Sequence, residues 1–296
     1  MAVHGPSGES DRREQGASST ARRIILGAQL RRLREAAGIT RGDAGYSIRG
    51  SESKISRLEL GRVGFKERDV ADLLTMYGVT SPADRDAIIE LAKQSNERGW
   101  WHRYSDLMPP WFQDFVGLEE STLRIQNYEL QFVPGLLQTE AYVLALASHG
   151  RPQLATDETY RRVALRVERQ KLLNRPGAPK LWAVIDESVL HRPIGGRRVM
   201  RKQIEHLLEI TKLSHISLQV VPYQMSGYAA EGSFSMLRFA EHELPNIVYI
   251  EHLTGALYLD RPEEIEQYSR VFDRLMVDAE TPDNSRQLLS KHLTEL

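Results

Sequence analysis

The stretch Gly38 to Arg62, GITRGDAGYSIRGSESKISRLELGR, carries its own punctuation: two short helices joined by a tight turn. Thr40 is placed to cap the first helix, with Asp43 three residues on, so that side-chain oxygens meet the amides a helix start leaves unpaired. This helix runs to about Ile48 and holds Gly45 near its middle, where the missing side chain costs about 1 kcal/mol relative to alanine. A close crossing of the two helices at Gly45 turns that cost into a requirement. Arg49 and Gly50 make the turn, Ser51 caps the second helix and Gly61 ends it. Ile55 and Leu58, three apart, turn one apolar edge inward. The opposite face centres on Ser53 and Arg57, flanked by Glu52, Lys54 and Ser56. Hydroxyls, an amine and a guanidinium on one exposed helical face suit the base edges and phosphates of a major groove.

These residues resemble the Cro/C1-type (XRE) helix-turn-helix family, with matches at Ala44, Gly45, Ile48, Ser51, Ile55, Ser56, Arg57, Leu58, Glu59 and Gly61. The resemblance implies an all-α, five-helix lambda-repressor-like domain whose second motif helix enters the major groove. Carried onto this chain, it makes Glu52, Ser53, Ser56 and Arg57 base-reading candidates and Arg41 a phosphate contact, a role Lys54 is expected to share. It also implies an ion pair between Arg34 and Glu59 that ties the preceding helix to the end of the motif, a structural role. Arg49 stands where the family usually has its turn glycine, with Gly50 following.

Working outward, Ile24 to Ala37 reads as an amphipathic helix with Leu26, Leu30, Leu33 and Ala37 at helical spacing, stopped by Gly38. Lys66 to Tyr77 and Ser81 to about Glu97 supply two further helices, the latter opened by Ser81, Pro82 and Asp84. Residues 23–98 are thus the expected DNA-binding domain. Residues 1–22, rich in Gly, Ser and mixed charge, read as a disordered arm, whose Arg12, Arg13, Arg22 and Arg23 are either phosphate contacts or ordinary terminal charges. Net charge is −1 overall, yet Ile24 to Arg62 holds eight basic residues against four acidic ones, so positive charge gathers where DNA would lie.

A chain of 296 residues with 41% hydrophobic content can bury two cores. It has no cysteine, no apolar run near its start and no stretch approaching 18 apolar residues, from which a soluble cytoplasmic protein with no membrane partner is expected. Near Gly99 the composition shifts, and WWHRYSDLMPPWFQDF gathers three of the four tryptophans, as a pocket, a dimer surface or a linker packed on a core. Residues 99–296 are read as a second domain of mixed α/β or α+β class. Helices are expected at Glu119 to Tyr128, Thr139 to Ala147, Asp157 to Leu173, Arg197 to Lys212, Pro262 to Val277 and Ser285 to Leu293. Strands are expected at Leu181 to Ile185 (central), Ile216 to Val221, Phe234 to Phe239, Ile247 to Leu253 and Gly255 to Leu259. Four segments, VPGLLQTEAYV (Val133 to Val143), VERQKLL (Val167 to Leu173), DESVLHRPIGG (Asp186 to Gly196) and the VVPY to GSFSMLRF segment, resemble the DUF5753 domain, which commonly follows an XRE module in bacterial regulators. That resemblance implies a regulator, with some members antitoxin-like and encoded beside a small partner protein.

Enzyme signatures are missing: there is no GxSxG elbow, phosphate loop, GxGxxG after a strand or HExxH. His242 and His252 with Glu241, Glu243 and Glu251 read as either an acid/base or metal site or surface charge. Asp186 and Glu187, with Arg192 close by, end a strand as either a site or a capped turn. Pro193 to Arg198, PIGGRR, is either an anion cradle or a glycine turn. The expectation is a non-enzyme with no catalytic residues, no cofactor and no metal. Its expected partners are a double-stranded DNA operator bound as a homodimer, with a small protein partner or a small-molecule effector acting on the second domain. The alternative is an antitoxin-like protein that holds a small partner and controls its own operon.

Overall fold

The computed structural model describes residues 18–150, 156–224, 232–242 and 244–296. Glu243 and the expected arm up to residue 17, with Arg12 and Arg13, lie outside them. The first part of the chain is all-α: α1 (Ser19–Ala36), α2 (Arg41–Ser47), α3 (Glu52–Glu59), α4 (Glu67–Met76) and α5 (Pro82–Ser95). Leu26, Leu30, Ala44, Ile48, Ile55, Leu58, Val70, Leu73, Leu74 and Ile88 close on one core. Three starts follow from caps: the Thr40, Ser51 and Ser81 hydroxyls accept from Asp43 N (3.1 Å), Lys54 N (3.2 Å) and Asp84 N (3.4 Å).

The second part is a six-stranded mixed sheet with helices on both faces. Its strands are β1 (Arg124–Glu129), β2 (Lys180–Asp186), β3 (Ile216–Val221), β4 (Phe234–Arg238), β5 (Ile247–His252) and β6 (Gly255–Leu259), in the order β3-β2-β1-β4-β5-β6. The β3, β2 and β1 strands are parallel, and β1, β4, β5 and β6 run antiparallel in turn. The helices are α6 (Pro110–Glu119), α7 (Glu140–Gly150), α8 (Thr156–Gln170), α9 (Ser188–His191), α10 (Arg197–Ile210), α11 (Pro262–Asp278) and α12 (Pro282–Glu295). Along β2, Leu181, Ala183 and Ile185 face one core with Met200, Ile204 and Leu289, while Val184 faces another with Phe272 and Leu275. Two covered faces explain why LWAVI is apolar throughout.

One element corrects the sequence reading. Glu119 to Tyr128, expected as a helix, is the end of α6 followed by the interior strand β1. Its two buried amide side chains find distant partners: Gln126 Oε1 accepts from Arg238 Nε at 2.8 Å, and Asn127 Nδ2 donates to Ser235 Oγ at 2.9 Å and Phe234 O at 3.3 Å. Those partners lie more than a hundred residues away, so nothing local marks the strand.

The helix α1 also begins earlier than its periodicity indicates, taking in Ser19 to Arg22 of the expected arm. Its N-cap Ser18 is held by the second domain: Ser18 N donates to Ser121 Oγ at 2.7 Å, and Ser18 Oγ donates to Gly117 O. A Cβ on Gly117 would lie 2.2 Å from Thr20 Oγ1, so the two helices touch there backbone to side chain. Arg22 pairs with Glu97 (3.3 Å) and Arg23 with Asp114 (3.7 Å), which gives both a structural partner. The aromatic junction packs beside this contact, with Trp101 buried among Met108, Val116 and Leu165, and Trp100 Nε1 donating to Glu120 at 2.6 Å. Trp100 and Trp101 thus pack as a linker on a core, while Trp111 lies half-buried on α6.

Candidate nucleic-acid interface

The candidate surface is the outer face of α3, and its geometry begins with the turn before it. Arg49 has φ +54°, the left-handed conformation that glycine normally supplies at a cost to other residues of about 1–2 kcal/mol. Arg49 itself makes the left-handed bend, and Gly50 N returns to Gly45 O at 2.8 Å. A Cβ on Gly45 would sit 2.9 Å from the Ser51 carbonyl carbon and 3.0 Å from its oxygen, which is the close crossing the sequence required.

A second close approach was not legible in the sequence. At Gly27 of α1, a Cβ would meet Leu58 O at 2.5 Å and Glu59 O at 2.7 Å, so α1 lies directly against the backbone of α3. Gly61, at φ +65°, similarly abuts the Ile24 backbone at 2.8 Å. In the sequence Gly61 reads only as a helix stop, and Gly27 carries no signal until the chain path brings α1 across α3.

The end of α3 is fastened by charge. Glu59 is 7% exposed and accepts from Arg34 Nε and Nη2 (the latter 3.2 Å) and from Arg41 Nε at 2.9 Å. Arg34 also donates to Ile39 O at 2.8 Å. Its hydrogen bond to Glu59 raises the Arg34 pKa, and burial, with help from the Glu59 charge, pushes the nearby Tyr77 hydroxyl up to about 12. The pair implied by family resemblance is thus present and buried, with Arg41 as a third member.

The sequence-predicted contacts separate into groups. Glu52, Ser53 and Arg57 are exposed side by side on the outer face, and Ser56 is half-buried at its edge. The Arg57 guanidinium lies along its own helix, Nε 3.4 Å from Ser53 O, and has no acidic partner among the described residues. Lys54 differs: its Nζ is 2.6 Å from Asp69 Oδ2 on α4, so its charge is largely committed inside the domain. Ile48, Ile55 and Leu58 are core residues. Missed by the sequence reading is Tyr46, 88% exposed on the last turn of α2, beside exposed Arg49. Exposed aromatics carry no periodic signal.

Lys54→Ala is accordingly expected to cost about 1 kcal/mol of stability or less, and to weaken DNA binding less than loss of Arg57 does. Urea unfolding and a binding titration on the same variant check both halves.

Elsewhere, the histidine pair, Asp186 and the glycine turn separate from one another. His242 and His252 are exposed, and Asp186 Oδ1 caps the following turn by accepting from Ser188 N at 2.9 Å. Gly195 and Gly196 both have positive φ, which makes Pro193 to Arg198 a turn into α10. No helix among the described residues is long and apolar enough to cross a membrane.

Comparison with family models places a helix-turn-helix domain at residues 25–88 and a domain of unknown function, DUF5753, at residues 112–291. The second match spans more than half the chain. The chain belongs to the DUF5753 family. In this DUF5753 protein the helix-turn-helix model covers the motif, α4, most of α1 and part of α5, marking a DNA-binding helix-turn-helix regulator. No curated protein and no solved structure matches it.

Proposed function

We propose that this chain is a sequence-specific transcriptional regulator of the bacterial cytoplasm, binding a partly palindromic operator as a homodimer, with half-sites about one helical turn apart. The observation that carries the reading is the presentation of α3: Glu52, Ser53 and Arg57 stand exposed on a helix whose other side is fixed by Ile55, Leu58 and the buried Glu59. A rigid helix with adjacent polar side chains is what base readout demands. The DUF5753 domain is read as the controlling half, without catalysis of its own, responding to a small-molecule effector or a protein partner. The route from that half to DNA is α1, which touches Gly117 and Ser121 at one end and the α3 backbone at Gly27.

Arg41, at the first turn of α2 and held by Glu59, is assigned to a phosphate. Arg41→Ala is expected to weaken operator and random DNA alike and to flatten the slope of log K against log salt by about 0.9, the value for one phosphate contact. Titrations at three salt concentrations check this, and an unchanged slope removes Arg41 from the interface.

The deciding experiment is recovery of bound DNA from a random duplex pool by the full-length protein at physiological salt, beside Arg57→Ala. Enrichment of an inverted repeat that the variant loses supports the proposal. Absence of any enrichment, together with a stoichiometric small protein that copurifies, would move the reading to an antitoxin-like partner binder.

A further inference from the structure

At the C-terminal ends of the parallel strands β2 and β3, three side chains far apart in sequence converge. Glu187 follows β2, His191 ends α9 four residues later, and His292 comes from the last turn of α12. One ligand atom from each lies within 4.8 Å of the other two. Glu187 Oε1 is 3.3 Å from His191 Nε2 and 3.4 Å from His292 Nε2. Bonds of about 2.0–2.2 Å to a tetrahedral metal set its ligand atoms about 3.3–3.5 Å apart, so both spacings match an edge of that polyhedron.

The surroundings hold these groups in place. Glu187 Oε2 accepts from Tyr223 N at 2.8 Å, the His191 ring stacks on the Tyr223 ring at 5.1 Å, and His292 Nδ1 lies 3.7 Å from Glu295 Oε2. A carboxylate behind a histidine's second nitrogen is the usual outer partner of a metal-bound imidazole. The Glu187 and His292 side chains are 16% and 10% exposed, whereas His191 is 46% exposed, which gives the cluster one side open to solvent. Crevices beyond the C-terminal ends of parallel strands are where open α/β sheets place ligands.

We infer that Glu187, His191 and His292 form a binding site for one divalent transition-metal ion of the zinc class, with a fourth position open to water or an exogenous ligand. The ion would fasten α12 to the β2–β3 end of the sheet. Carboxylate plus two imidazoles suits zinc or cobalt and disfavours calcium or magnesium, which take oxygen ligands.

The test uses tag-free, chelator-stripped full-length protein titrated with Co2+ alone and then with Zn2+. One equivalent of Co2+ is expected to give the visible absorption of a four- or five-coordinate ion, bleached by Zn2+. Zinc at a hundredfold excess over its Kd is expected to raise Tm by about 5 °C. His191→Ala, exposed and therefore safe for folding, and Glu187→Gln should each weaken uptake at least tenfold, while His242→Ala should leave it unchanged. Circular dichroism of the metal-free variants confirms that they fold. Lack of saturable uptake by the parent protein, or uptake that His191→Ala and Glu187→Gln leave intact, overturns the assignment.

Discussion

Glu59→Ala is expected to lower the stability of the helical domain by about 3–5 kcal/mol, the cost of removing one partner from a buried ion pair. Among the described residues Arg34 retains only Ile39 O and the exposed Glu35 after the change, and its side chain is 8% exposed, so an uncompensated guanidinium would remain under α3. Arg41 loses its anchor in the same step. Chemical unfolding followed by circular dichroism measures the effect, and a loss below about 1 kcal/mol would show that the pair does not clasp α3 to α1. The double variant Arg34→Met with Glu59→Met separates charge from shape. Replacing both members with apolar groups of similar volume is expected to restore much of the loss, because such replacements are often neutral or stabilising. Recovery in the double variant would assign the single-variant cost to the stranded charge.

The second large effect is on recognition. Arg57→Ala is expected to cost about 1–3 kcal/mol on the operator, roughly a 5- to 150-fold loss of affinity, with a much smaller loss on scrambled duplex. Stability should change by less than about 0.5 kcal/mol, since the side chain is exposed and its bond to Ser53 O is a long one. Paired equilibrium titrations at one salt concentration, on operator and scrambled DNA, provide the check. Equal losses on both would make Arg57 a phosphate contact and leave Ser53 and Glu52 as the readers.

The helix-turn-helix was legible because its signals are near neighbours in the chain. A cap and the amide it meets are three residues apart, as Thr40 with Asp43 and Ser51 with Lys54 show, and Ile55 with Leu58 report the buried edge within one turn. Even the altered turn could be located, although only the backbone reveals that Arg49 bends left-handed in place of glycine. The strands with apolar runs were legible for the same reason. β1 was not, since Gln126 and Asn127 are made acceptable inside a sheet by Arg238, Ser235 and the Phe234 carbonyl. Lys54 shows the converse limit. Its position on α3 was correct, yet its charge is directed to Asp69, fifteen residues on, by the packing of α4.

By itself, then, the sequence determined an all-α unit holding the helix-turn-helix with α3 as its second motif helix, a mixed α/β unit after the tryptophan-rich junction, and the resemblances that name both. Tertiary structure decided the strand order β3-β2-β1-β4-β5-β6, the seating of α1 between the two domains through Gly27 and Gly117, and the meeting of Glu187 with His292 across 105 residues. The division has a physical cause. Caps, turns and amphipathic periods are set by interactions within a few residues, whereas close backbone approaches and side-chain clusters depend on the path of the whole chain and on buried polar groups finding distant partners.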